Sequence, residues 1–144
     1  MPTVSRTRSL RAPPAEVWAL VSDPQRLPDW WPGVRRVEEA SHEAWTTVLS
    51  SPRGKAVRAD YTLVEAQEPE RLVWRHEVEE SPFERILRES TTEVEIEPGG
   101  AGLTEVSLTL RQRPRGFARF GFVQIRRAAA RQLEGALDGL ERLL

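Results

Sequence analysis

A chain of 144 residues is long enough to bury one core and too short for two ordinary ones, so a single domain over residues 1–144 is expected. The absence of cysteine excludes disulfides, thiolate metal sites and thiol nucleophiles, and fits a reducing, cytoplasmic setting. A net charge of -1, no apolar run near the roughly 20 residues of a bilayer span, and an opening without signal-peptide character argue against bulk attraction to nucleic acid, stable membrane insertion and export.

Thr3 to Leu10 alternates as a strand does, although its inward face is left open by the residues themselves. Pro14 suits the first position of a helix, where its missing N–H would be unpaired anyway, and this helix runs to about Ser22. Asp23-Pro24 starts a second, short helix, with the aspartate placed to accept from free N–H groups. Pro28, Pro32 and Gly33 break it, which holds Trp30 and Trp31 on a constrained corner; one of the pair is expected to staple the helices and the other to rim an opening.

From Val34 the hydrophobic period becomes two, with strands expected at roughly 34–40, 43–50, 55–66, 71–80, 84–97 and 102–112. Turn chemistry at Ser51-Pro52-Arg53-Gly54, Glu68-Pro69-Glu70, Ser81-Pro82 and Pro98-Gly99-Gly100 separates them closely enough for consecutive antiparallel hairpins. A sheet with one apolar face needs a cover. The segment from about Arg115 to Leu144 supplies it, with Phe122, Ile125, Ala129, Leu133, Ala136, Leu140 and Leu143 in a helical stripe. Ala128 to Ala130, Gly135, Ala136 and Gly139 put little volume in that helix, consistent either with close backbone packing or with an internal cavity.

The block Ala12, Pro13, Val17, Trp18, then Asp23-Pro24, then Trp30, Trp31 and Gly33, followed by six strands and one long helix, resembles the START-related helix-grip superfamily (SRPBCC), which includes polyketide cyclase/dehydrase-like and birch-pollen-allergen-like proteins. The resemblance covers nearly the whole chain. It implies an α+β helix-grip fold: a curved, seven-stranded antiparallel sheet wrapped around the long C-terminal helix, with two short helices after the first strand. It also implies an internal tunnel for lipids, polyketides or other apolar molecules.

Strand parity proposes which side chains face that tunnel. Leu72, Trp74, His76 and Val78 share one face, Val57, Ala59, Tyr61 and Leu63 another, and Thr104, Val106, Leu108 and Leu110 a third. In 43–50 the larger set, Trp45, Thr47 and Leu49, is taken as inward, and in 84–97 Ile86, Arg88, Ser90, Thr92, Val94 and Ile96 fall together. The expected ligand-binding set is therefore Trp31, Trp45, Tyr61, Trp74, His76 and Arg88, joined by Phe120 in the aromatic lead into the last helix and by Ile125 and Ala129 on its stripe. His76 is the natural acid or base, with Tyr61 as a second proton-transfer group, although a lone histidine on an apolar face also reads as a core residue satisfied by one hydrogen bond.

His42 and His76 lack ligand-type spacing to other donors, no phosphate-cradling loop precedes a helix, and no nucleophile elbow is present, so neither a metal, a nucleotide cofactor nor a covalent mechanism is expected. The glutamates between Glu77 and Glu97 and the arginines between Arg111 and Arg131 form two charged poles. These either solvate and pair with one another, or the Arg-rich stretch attracts an anion or an acidic protein. The leading expectation is a protein that binds or transports a small hydrophobic or aromatic molecule. The alternatives are a polyketide cyclase/dehydratase-type enzyme using His76 or Tyr61, and a module that docks an acidic partner. Oligomeric state has no signature in the chain.

Overall fold

The period-two pattern after Val34 becomes one continuous antiparallel meander in the computed structural model, which describes residues 3–51, 53–116 and 121–144. The strands are β1 (Thr3–Leu10), β2 (Val34–Glu38), β3 (Ala44–Ser50), β4 (Ala56–Gln67), β5 (Arg71–His76), β6 (Leu87–Gly100) and β7 (Leu103–Pro114). Their order in the sheet is β1-β7-β6-β5-β4-β3-β2, so β1 pairs with the last strand while β2 lies at the far edge. The chain crosses between those two edges through α1 (Pro14–Val21), a 3-10 turn (Pro24–Arg26) and α2 (Leu27–Trp30). The closing helix α3 (Phe122–Leu143) packs mainly against β1, β7 and α2.

Local chemistry sets these boundaries. Pro14 opens α1, and Val17, Leu20 and Val21 recur at the spacing that puts them on one buried face. The Asp23 carboxylate accepts from the Gln25 N–H at 3.0 Å and caps the 3-10 turn. Glu39, at φ 51°, ends β2 two residues before the expected stop, and Glu80, at φ 59°, lies in the turns beyond β5. The strand expected from Glu84 begins instead at Leu87. Ser81 Oγ accepts from the Phe83 N–H at 3.1 Å, and the Phe83 carbonyl accepts from Leu87 N–H at 2.9 Å, which winds 82–86 into successive turns.

The inner face holds Leu10, Val94, Val106 and Leu108 against α3, whose buried stripe is Ala129, Leu133, Ala136, Leu137 and Leu140. The centre of the stripe runs 133, 137, 140, 144, spacings of four, three and four. Leu143 therefore falls at its edge and is 43 % exposed, contrary to its expected place in the core. The helix also starts later than Arg115: β7 runs to Pro114, and Gly116 takes φ 56°. Trp18 is half-buried against the core, and the fully buried Thr104 donates its hydroxyl to the Ala12 carbonyl, pinning β7 to the β1–α1 connection.

The outer face of the sheet pairs much of its own charge. Arg71 and Arg111 both reach Glu93, a carboxylate that is buried beneath them. Burial alone would raise its pKa, but the two guanidiniums outweigh that and hold it below the ordinary carboxylate range. On the inner side, which α3 covers, Arg8 of β1 contacts Glu134, Asp138 and Glu141 along one face of that helix.

Of the two readings open for the small residues of α3, close backbone packing holds at its two glycines. A Cβ at Gly139 would sit 2.4 Å from the Trp30 carbonyl oxygen and 2.7 Å from its Cα, and one at Gly135 would sit 2.7 Å from Pro32 Cγ. The two glycines let the Trp30–Pro32 corner lie directly on the helix backbone.

Candidate ligand-binding site

The cavity lies on the sheet side of that corner. Antiparallel register places Trp45 opposite Tyr61 and Tyr61 opposite His76, one straight row across β3, β4 and β5. The neighbouring row is Leu63, Trp74, Thr92 and Leu110 across β4 to β7. Since side chains directly opposite share a face, these rows give a continuous aromatic wall. Tyr61 stacks on Trp45 with centroids 6.0 Å apart and on His76 at 4.8 Å, while Phe83 meets the His76 ring edge-on at 4.7 Å. Trp74 contacts Trp45 at 6.0 Å and Trp31 at 6.1 Å.

These rings enclose a cavity of about 140 Å³, completed by Leu27 and Val34 at the α2–β2 corner, by Leu87, Ser90 and Gln112 on the last two strands, and by Gln132 from α3. Among the described residues no aspartate, glutamate, lysine or arginine lines it. Its polarity comes from hydroxyls and two amides, and two of the lining rings carry buried nitrogens, Trp45 Nε1 and His76 Nε2, with no hydrogen-bond partner among the described residues. An unpaired buried polar atom is costly, on the order of 1–3 kcal/mol, and is relieved by a ligand or an ordered water.

Burial lowers the pKa of His76 below its ordinary value of 6.5, with Asp60 and Glu77 pulling it partly back. The ring is therefore neutral at neutral pH, with a free nitrogen in an apolar wall. Burial pushes the Tyr61 hydroxyl up to about 12, the neighbouring Thr47 hydroxyl easing this somewhat, so it stays protonated. Because folded His76 binds a proton less readily than the unfolded chain does, the unfolded state holds more protons below the ordinary histidine pKa, and stability falls as pH drops through about 6.5. In His76→Gln that part of the acid slope disappears; urea midpoints between pH 5 and 8 check this, and an unchanged slope would contradict it.

Of the residues expected at the site, Trp31, Trp45, Tyr61, Trp74 and His76 meet in this cavity, while Trp30 is buried in the core behind them. Arg88 does not face it. A bulge between Leu87 and Glu89 shifts the register, so Leu87 takes the inward position and Arg88 is exposed on the outer face, as Ile86 is beyond the strand. Ala129 is buried in the core and Ile125 half-buried, and neither borders the cavity. Phe120 lies outside the described residues. Leu27, Val34, Phe83, Leu87, Gln112 and Gln132 are the lining residues that sequence reasoning missed. Gln112 was available by parity with Leu108 and Leu110, whereas Phe83 is brought in by the 82–86 turns, and Gln132 depends on how α3 is seated.

Among curated proteins none matches the chain. Solved structures match it closely in shape. A START superfamily protein from Mycobacterium smegmatis aligns with TM-score 0.75 and 15 % identity over 96 % of this chain and 94 % of that one. The protein DR_A0006 from Deinococcus radiodurans aligns at 0.69 with 23 % identity, covering 98 % and 95 %. The di-domain ARO/CYC protein BexL of the BE-7585A biosynthetic pathway aligns at 0.80 with 22 % identity over 99 % of this chain but 46 % of that one, one of its two domains. These likenesses establish the helix-grip fold. The sequence as a whole, residues 1–144, matches the family described as Polyketide cyclase / dehydrase and lipid transport, and the chain belongs to that START-like family.

Proposed function

We infer that the protein binds a small, uncharged aromatic molecule in the cavity between sheet and helix and serves as a binding or transport protein. The observation that carries this is a wall of stacked rings that, among the described residues, holds no charged side chain and has two unpaired nitrogens. An ionised ligand would lose its hydration there without gaining a counter-charge, whereas a neutral ring bearing a hydroxyl or carbonyl gains the aromatic contacts and a hydrogen bond. Volume favours a small ligand: a dry cavity of about 150 Å³ binds benzene, so about 140 Å³ encloses one ring, and the second ring of a bicyclic ligand reaches the cavity's open side. Among the described residues no helix is long and apolar enough to cross a membrane.

One observation favours a second reading, a cyclase- or dehydratase-type enzyme. His76 Nε2 is a neutral, unpaired base in the same cavity as a protonated Tyr61, the pairing that proton transfer to and from a bound carbonyl compound requires. Native mass spectrometry of the purified protein, with extraction of anything released on unfolding, tests the first reading. Excess mass from a small aromatic supports it; a bare chain that also fails to bind 2-naphthol refutes it. His76→Phe then separates the two roles: a carrier still binds its ligand, weakened by about tenfold at most through loss of one hydrogen bond, whereas an enzyme binds it and loses turnover.

A further inference from the structure

A second, larger cavity of about 490 Å³ lies on the other side of Leu27, Trp45 and Trp74, which wall both. Its floor is apolar, formed by Val21, Leu63 and Leu72, and its rim is polar, formed by the α1–α2 corner at Ser22 to Gln25 and by the β2–β3 turn at Ser41 and His42. The volume falls in the range of roughly 300–1,000 Å³ typical of ligand sites. Among the described residues one charged group of fixed sign stands there, the exposed Asp23 carboxylate, and neither lysine nor arginine lines the space.

We propose that this cavity is a second ligand compartment, taking an apolar chain whose outer end is a hydroxyl or amine and discriminating against the corresponding acid. The chain lies on Leu63, Leu72 and the two indoles, and its head remains at the hydrated rim, where Ser22 and Gln25 offer hydrogen bonds. Asp23 repels a carboxylate head and attracts an ammonium one. Because Asp23 is exposed, the effect is moderate and screened by salt. Because Trp45 and Trp74 separate the two spaces, one ligand in each is accommodated at once.

The test compares 1-decanol, decylamine and decanoate, with 2-naphthol as the reporter of the smaller cavity, by calorimetry at low ionic strength and pH 8. Decanol and decylamine bind, decanoate binds at least about threefold more weakly, and saturating decanol leaves the 2-naphthol affinity unchanged. Ala40 borders only the larger cavity, and Ala40→Trp fills it; decanol affinity then falls tenfold or more while 2-naphthol binding is kept. Asp23→Asn retains the cap, since asparagine serves there as well as aspartate, and it raises decanoate affinity about threefold. Decanol affinity unchanged by Ala40→Trp, one-for-one displacement of 2-naphthol by decanol, or equal binding of decanol and decanoate in the wild-type protein would overturn the proposal. Failure of 2-naphthol alone to bind would count against the aromatic cavity and not against this compartment.

Discussion

Gly139→Ala unfolds at a clearly lower temperature than the parent, although alanine is the better helix former. The substitution gains about 1 kcal/mol of helix propensity. Against this, the new Cβ lies 2.4 Å from the Trp30 carbonyl oxygen and 2.9 Å from its carbonyl carbon, and backbone atoms cannot rotate aside as a flexible side chain can. Trp30 is buried, so the whole corner has to lift from α3, disturbing the mount of Trp31 in the cavity wall. Overpacking of this kind costs about 1–3 kcal/mol, and a backbone neighbour puts the site at the upper end. A net loss of about 2 kcal/mol is expected, with a thermal midpoint several degrees lower. Gly135→Ala is the control. Its Cβ meets a ring carbon of the exposed Pro32, which can shift, so the propensity gain and the clash nearly cancel and the midpoint stays within about two degrees. Equal effects at the two positions would refute this account of the helix glycines.

Trp74→Ala is expected to be the most damaging single change at the site, costing about 3–5 kcal/mol by urea unfolding. The indole is 5 % exposed, meets Trp31 and Trp45 edge-on, and is common to the walls of both cavities. Removing it loses the burial of a large ring and joins two spaces into one void, and the β-sheet on which it stands cannot collapse to fill it. Trp18→Ala, on a half-buried residue, costs less. Saturating 2-naphthol restores part of the stability of Trp74→Ala if ligand fills the void, by the ordinary linkage of binding to folding. A loss below about 1.5 kcal/mol would mean that the aromatic wall is not a packed part of the core.

Much of the site was legible because an antiparallel sheet reads out parity. Tyr61, Trp74 and His76 lie in the part of the β4–β5 pairing that precedes the bulge between Leu63 and Glu65, so their common face follows from the alternation alone, and register then aligns them. Arg88 shows where that logic ends. One extra residue in a bulge reverses every inward assignment on its far side, and nothing in the alternation from Ile86 to Ile96 marks the place. The glycines of α3 are a second instance. Low side-chain volume is visible in sequence, but whether it leaves space for a ligand or for a backbone depends on which segment lies opposite, here the Trp30–Pro32 corner.

By itself, then, the sequence determined the things that depend on neighbours along the chain: the order of elements, the Pro14 and Asp23 helix starts, the turns that make a meander, and the inward face of most strands. These are set by dihedral preferences and short-range hydrogen bonds, which act within a few residues. Only the tertiary structure decided that the aromatic wall divides two cavities, that among the described residues no charge lines the smaller one, that Phe83 and Gln132 join it, and that Arg88 leaves it. Those outcomes depend on volumes left between elements distant in sequence, and such a volume is a difference between many packed surfaces that no single segment encodes.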